Sequence, residues 1–339
     1  MSTPVESETL GHLSDEPVAP PAGTDQARAV TGKSPLRIAF ERLRKDKIAV
    51  ACFVVVVLFA LIAIFADLLM KVFGVSTDTV RPVGLLDPLN NNLPLKGPPD
   101  NGFDPEHPFG IAPGTAADNL AYWLKGAQTS MLIAASATVV ASFVGVTLGL
   151  VAGYLGGAVD KAVSFVTDFF LTVPFLLAAL TVAPIINERF AASPNYARIQ
   201  LIALVVILAG FGWMPLARLV RGEVLSLRER EFVQAARVLG MPTRRILLRE
   251  LLPNLVAPIV VAVSLMLPAF VALEAGLAYL GIGVTSGISW GQTILKASDY
   301  FSVYPLYLYQ PLLGIVVLVI ALNLLGDAVR DALDPKTRR

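Results

Sequence analysis

Apolar and polar positions along this chain separate into long blocks rather than into the short alternations of a soluble fold. Apolar runs occupy residues 48–70, 131–154, 164–186, 199–220, 256–280 and 306–325. Each is near the ~20 residues that a helix needs to cross a bilayer core. The pattern predicts an all-α integral membrane protein with six transmembrane helices. The even number places both termini on one side. The implied division is an N-terminal tail (1–47), a first span (48–70), an external segment (71–128), a core with five spans and a charged hairpin at 221–255 (129–328), and a C-terminal tail (329–339).

The hairpin breaks the block pattern. In REREFVQAARVLG, apolar Phe232, Ala236 and Leu239 recur at helical spacing beside polar Arg230, Gln234 and Arg237, which predicts a short amphipathic helix. Gly240 supplies a left-handed C-cap, and Pro242 cannot continue the helix. Thr243 is then the expected N-cap of a second helix, TRRILLRELL, with Leu247 and Leu251 on one face and Arg245 and Arg249 on another. Pro253 is expected to stop it before the fifth span. A helix–glycine–helix knob is a shape that another protein can push, and an interfacial hairpin lying on lipid headgroups has the same composition.

Charge sets the orientation. Lys33, Arg37, Arg42, Arg44, Lys45 and Lys47 precede the first span; Arg221, Arg228, Arg230, Arg237, Arg244, Arg245 and Arg249 fill the hairpin; Arg330, Lys336, Arg338 and Arg339 follow the last span. The opposite side holds only Lys71, Arg81, Lys96, Lys125, Arg189, Arg198 and Lys296. By the positive-inside rule both termini and the hairpin are cytoplasmic. The external segment, with GPPDNGFDPEHPFG at its centre, reads as irregular loop. It closes with DNLAYWLKGAQ, a short interfacial helix with Tyr122 and Trp123 at headgroup depth, serving as a connector or as a substrate contact.

Composition narrows the function classes. The chain is 55% hydrophobic and 16% charged, with a mean hydropathy of +0.66. Cys52 is the single cysteine and His12 and His107 are the only histidines, so neither a disulfide nor a metal site is expected. The polar tail up to about Val30 has a disordered composition and lacks the basic start of a signal peptide. Gly32-Lys33-Ser34 matches the end of a P-loop, but Ala27 stands where the first glycine belongs and Pro35 interrupts the required helix. The chain offers no catalytic residue, cofactor site or nucleic-acid-binding surface.

Within the spans, Gly145, Gly149 and Gly153 recur every fourth position and form a packing face for another helix, of this chain or of a second subunit. Asp168 and Glu274 are acids inside apolar runs, where an unpaired charge costs roughly 3 kcal/mol or more, so each lines a pathway or makes a buried hydrogen bond. Pro174, Pro258 and Pro268 free backbone carbonyls in the same spans.

The segment QAARVLGMPTRRILLRELLP resembles the EAA loop of bacterial ABC importer permeases. Ala235, Ala236, Gly240, Leu252 and Pro253 match, while Gln234 stands for the usual Glu and Glu250 for the usual Ile. ARLVRGEVLSLREREFVQAAR, GYLGGAVDKAVSFVTDFFLTVP, LGIGVTSGISWGQTILKAS and GDAVRDALDP are similar to the C-type permease of dipeptide, oligopeptide and nickel importers, over roughly residues 109–335. Two departures stand out. HPFGIAPGTAADN lacks the central Asp and Arg that the family usually carries there, and Phe165 replaces an arginine three residues before Asp168. The resemblance implies a type I ABC importer permease fold. It also implies a B-type permease partner in the bilayer, two ATPase subunits (or one fused ATPase) that hold ATP and Mg, and an extracytoplasmic peptide-binding protein. ATPase coupling would fall to Glu231, Phe232, Gln234, Ala235, Ala236, Arg237, Gly240, Met241, Pro242, Thr243 and Pro253. Peptide is favoured over nickel because no ligand cluster is present. The rival reading is a proton-coupled transporter with Asp168 and Glu274 as relay groups, which predicts internal repeats that the two halves do not show. A membrane-embedded enzyme would need a nucleophile and base set that the chain lacks.

Overall fold

The computed structural model describes residues 41–78, 84–285 and 287–333. Residues 1–40 of the expected N-terminal tail, with Gly32-Lys33-Ser34, and the terminal Lys336, Arg338 and Arg339 lie outside the described residues; residues 41–45 are helical. The first apolar run forms α1 (Lys47–Ile64) and α2 (Ala66–Phe73). The Asp46 carboxylate starts α1 by accepting from the Ile48 and Ala49 amides, and Gly74 ends α2 at φ 69°. A two-residue antiparallel pair follows, β1 (Leu86–Asp87) with β2 (Leu93–Pro94), Leu86 facing Pro94.

The expected interfacial helix is not separate from the second span. One helix, α3 (Asn119–Leu155), runs unbroken for 37 residues, about 55 Å at 1.5 Å per residue. Its Asp118 cap accepts from Ala121 N, and His107 Nδ1 lies 2.6 Å from the other carboxylate oxygen. Gly126 interrupts the apolar pattern but not the helix. A Cβ there would stand 2.8 Å from the Trp290 ring, so this glycine serves packing.

The third apolar run is bent rather than straight. It folds as α4 (Gly157–Thr172) and α5 (Phe175–Phe190), inclined at 85°. Pro174 has no amide hydrogen and drives Val173 into extended backbone (φ −81°, ψ 120°), which ends α4. The remaining elements are α6 (Tyr196–Leu227), α7 (Glu231–Val238), α8 (Thr243–Tyr279), α9 (Trp290–Ser298) and α10 (Pro305–Leu333). Among the described residues five helices are long and apolar enough to cross a membrane, and the bent pair α4–α5 makes a sixth span if counted as one.

The core has two main parts. One centres on Ile133, Leu208, Phe270, Leu318 and Trp290, between α3, α6, α8, α9 and α10. The other joins Leu150, Val220, Val224, Leu251 and Leu255 to the hairpin. Between them the glycine stripe of α3 lies against α6 of the same chain. Cβ atoms at Gly145 and Gly149 would each fall 2.7 Å from a carbonyl oxygen of α6 (Trp213 and Ala217), and one at Gly153 would fall 2.8 Å from Val224 Cβ.

Candidate functional site: the charged hairpin

Helix α7 is held from below by apolar contacts and polar ties. Val233 and Ala236 are buried against Leu150 and Tyr154 of α3, Val220 and Val224 of α6, and Ile246 and Leu251 of α8. The inward face is therefore Val233 with Ala236. The periodicity groups Phe232, Ala236 and Leu239, but Phe232 is 40% exposed and Leu239 83%, with Val238 at 88%. Helical spacing finds an apolar stripe, and the position of α8 decides which edge of it is covered. The result is an apolar tip in open solvent, a feature that marks contact surfaces.

The turn has the geometry expected at Gly240. Its φ is 71°, its amide donates to Arg237 O (2.9 Å), and the Met241 amide donates to Ala236 O (3.0 Å). This pair of bonds is the Schellman closure, and Met241 packs against the cluster below as its apolar partner. Two expectations are corrected. Thr243 is the first helical residue and makes no side-chain cap; Pro242 holds the cap position, and its carbonyl accepts from Arg245 N and Ile246 N. Pro253 does not stop the helix. A π-helical stretch, Ile246–Leu251, widens the turn just before it, and α8 continues into the membrane to Tyr279. The wider turn relieves the clash that a proline ring makes with the preceding turn.

Polar ties lock the knob to the spans. Arg237 Nε donates to the Tyr154 hydroxyl (3.3 Å) with its guanidinium 4.8 Å above that ring, Arg228 Nη1 donates to Gly153 O (3.2 Å), and Gln234 Nε2 donates to Arg228 O (3.1 Å). Glu231 and Ala235 face solvent. The packed, bonded base ties the tip to the ends of α3 and α6.

The two intramembrane acids differ from each other. Asp168 is not buried: it pairs with Arg218 of α6, and the side chains are 64% and 52% exposed. Next to it Asp160 pairs with Arg221, with Nη2 to Oδ2 at 2.8 Å. Asp168, Arg218 and Arg221 line a cleft of about 370 Å³ with Val163, Ser164, Thr167 and Ala217. Sequence reasoning missed both arginines as partners; their spacing of three along α6, on one helical face, was the available signal.

Glu274 is fully enclosed at 0% exposure, and the side chains of Ser130 and Ser289 lie beside it. It is packed between α3, α8 and the start of α9. Glu274→Gln keeps the same volume and an acceptor for the serine hydroxyls, and is expected to be recovered from membranes at the parental level. Glu274→Ala should lower thermal stability by about 2 kcal/mol through the void it leaves. Poor recovery of the glutamine variant would contradict this packing role. Among the described residues no group of three or more His, Cys, Asp or Glu is placed to hold a metal ion.

Residues 145–339 match the protein family described as binding-protein-dependent transport system inner membrane component, and residues 34–86 match the N-terminal TM domain of oligopeptide transport permease C. The chain is 38% identical over 223 residues to an oligopeptide transport system permease protein of Mycobacterium tuberculosis, covering 65% of this chain and 73% of that protein. It is 33% identical over 327 residues to a dipeptide transport system permease protein of Alkalihalophilus pseudofirmus (96% and 97%). An oligopeptide permease protein of Escherichia coli K12 is 30% identical over 310 residues (91% and 94%). Among solved structures, an inward-facing MetNI methionine ABC transporter chain is similar at a TM-score of 0.49 and 18% identity, covering 63% of this chain and 96% of that one.

Proposed function

Because the chain belongs to the family of binding-protein-dependent transport system inner membrane components, we propose that it is one permease half of an ATP-driven importer of dipeptides or oligopeptides. The observation that carries the reading is the knob: an apolar tip at Phe232, Val238 and Leu239, exposed to solvent, on a base bonded to α3 and α6. Such a solvent-exposed apolar tip on a rigid base suits the surface of a partner protein, here an ATPase. The names of the relatives, oligopeptide and dipeptide permeases, support peptide over nickel.

In this reading a B-type permease completes the pathway and two ATPases, separate or fused, each hold one hairpin. The hairpin, Arg42 and Arg330 face the cytoplasm, and the segment around Asn91 faces a peptide-binding protein outside. ATP-driven closure of the ATPases moves the two knobs as rigid bodies and swings the spans between outward and inward access. Gln234, Arg237 and Met241 hold the knob to its base, while Glu231, Phe232 and Ala235 present the contact face. The proton-relay alternative has less support: Asp168 is occupied by Arg218, and Glu274 is sealed among packed helices.

Proteoliposomes that contain this chain with its candidate partner subunits and binding protein are expected to accumulate peptide only with ATP, and to keep doing so when a protonophore collapses the proton gradient. Uptake that follows the proton gradient and ignores ATP would overturn the importer reading.

A further inference from the structure

Three arginines at the base of the hairpin have no part in the coupling described above. Arg244, Arg245 and Arg249 are all exposed on the first turns of α8. Among the described residues none of them forms an ion pair, whereas Arg218, Arg221 and Arg228 each pair with a carboxylate and Arg237 sits on Tyr154. The three line a cleft of about 520 Å³ with Pro242 and Leu248.

The π-helical stretch explains why they converge. Its five-residue repeat puts Ile246 and Leu251 on the buried side together. Arg245 stands one turn from Arg249, and Arg244 lines the same cleft. Leu248 lies half exposed between them. The fifth apolar run begins at Val256, so at 1.5 Å per residue Arg249 lies about 10 Å and Arg244 about 18 Å from its start, on the approach to the bilayer surface, where long arginine side chains reach headgroups. Three unpaired cations at the positive end of a helix, with an apolar residue directed along the same surface, match a phosphodiester with acyl chains below it.

We propose that this cleft binds the headgroup of an anionic phospholipid of the cytoplasmic leaflet, so that the hairpin is divided between two partners: the tip for the ATPase and the base for lipid. The proposal rests on the cytoplasmic orientation given above. The bound headgroup fixes the angle at which α7 projects, because the cleft spans the turn at Pro242 and the π-helical stretch through Leu248 and Arg249. Lipid composition then sets how efficiently the knob transmits motion.

The test uses the whole complex in nanodiscs of phosphatidylcholine, with or without phosphatidylglycerol, and a phosphatidylglycerol analogue bearing a photoreactive headgroup. In the parental chain, labelling should concentrate in residues 243–252, and peptide-stimulated ATP hydrolysis should rise with phosphatidylglycerol. In the R244Q/R245Q/R249Q variant, labelling of that segment should fall roughly tenfold or more, the lipid stimulation should disappear, and the ATPases should remain bound on purification. Labelling unchanged in the variant would overturn the lipid site. Loss of the ATPases from the variant would also overturn it, by assigning the arginines to the ATPase interface. Failure of the parental complex to hold ATPases at all reads separately, against the importer reading, because labelling is scored on this chain alone.

Discussion

Gly240→Val is expected to abolish ATP-driven peptide transport while leaving the membrane spans folded. Gly240 sits at φ 71°, and a Cβ placed there would meet no atom within 4 Å, so the defect is conformational rather than a local clash. A β-branched residue at positive φ costs roughly 1–2 kcal/mol, which is enough to open the Schellman closure but not to unfold a packed bundle. Opening it releases Met241 from the cluster under α7 and reorients Val238 and Leu239, the most exposed part of the apolar tip. Transport in proteoliposomes should fall by an order of magnitude or more. The ATPases should either be lost on purification or hydrolyse ATP without responding to loaded binding protein. Gly240→Asn, which tolerates the left-handed region better, should retain much of the activity. Equal loss in both variants would place the effect in side-chain bulk rather than in the turn.

Gly149→Val should instead prevent the chain from accumulating. A Cβ at Gly149 would lie 2.7 Å from Ala217 O and 2.8 Å from Val220 Cβ, so α3 and α6 cannot keep their separation. Overpacking a tight contact costs about 1–3 kcal/mol per site, and here the carbonyl that opposes the new side chain is backbone and cannot rotate away. Because the hairpin base is built on the ends of these two helices, the loss extends to the knob. Gly222→Ala, in α6 with nothing within 4 Å of its Cβ position, is the matched control and should be recovered normally. Membrane yield and thermal unfolding of the two variants, measured side by side, check the prediction. Normal recovery of Gly149→Val would mean that the stripe does not hold the bundle together.

Features carried by local sequence are readable. The apolar runs locate the spans, and Gly240 followed by Pro242 locates the turn, because both depend on residues adjacent in the chain. Features that depend on distant residues are not. Arg218 is fifty positions from Asp168, so the pair that exposes this acid to a cleft has no local signal. Val233 rather than Phe232 faces inward because Ile246 and Leu251 approach from α8. Pro174 marks a break in the third run, but the 85° angle between α4 and α5 comes from how each half packs. Pro253 reads as a stop because a proline usually ends a helix; the π-helical turn that accommodates it is a rare local solution. Polar residues before Met131 suggest a boundary in α3, yet helix continuity depends on backbone bonding, which Lys125 and Gln128 do not interrupt.

Site-directed crosslinking of the apolar tip tests the central claim most directly. With Cys52 replaced, single cysteines at Phe232, Val238 or Leu239 should each crosslink to an ATPase subunit in the assembled complex, and ATP should change the yield. A cysteine at Asn91, in the segment proposed to face the external binding protein, should give no such product. Crosslinks from Asn91, or an unmodified tip in a complex that still hydrolyses ATP in response to peptide, would contradict the account of the hairpin as the coupling element.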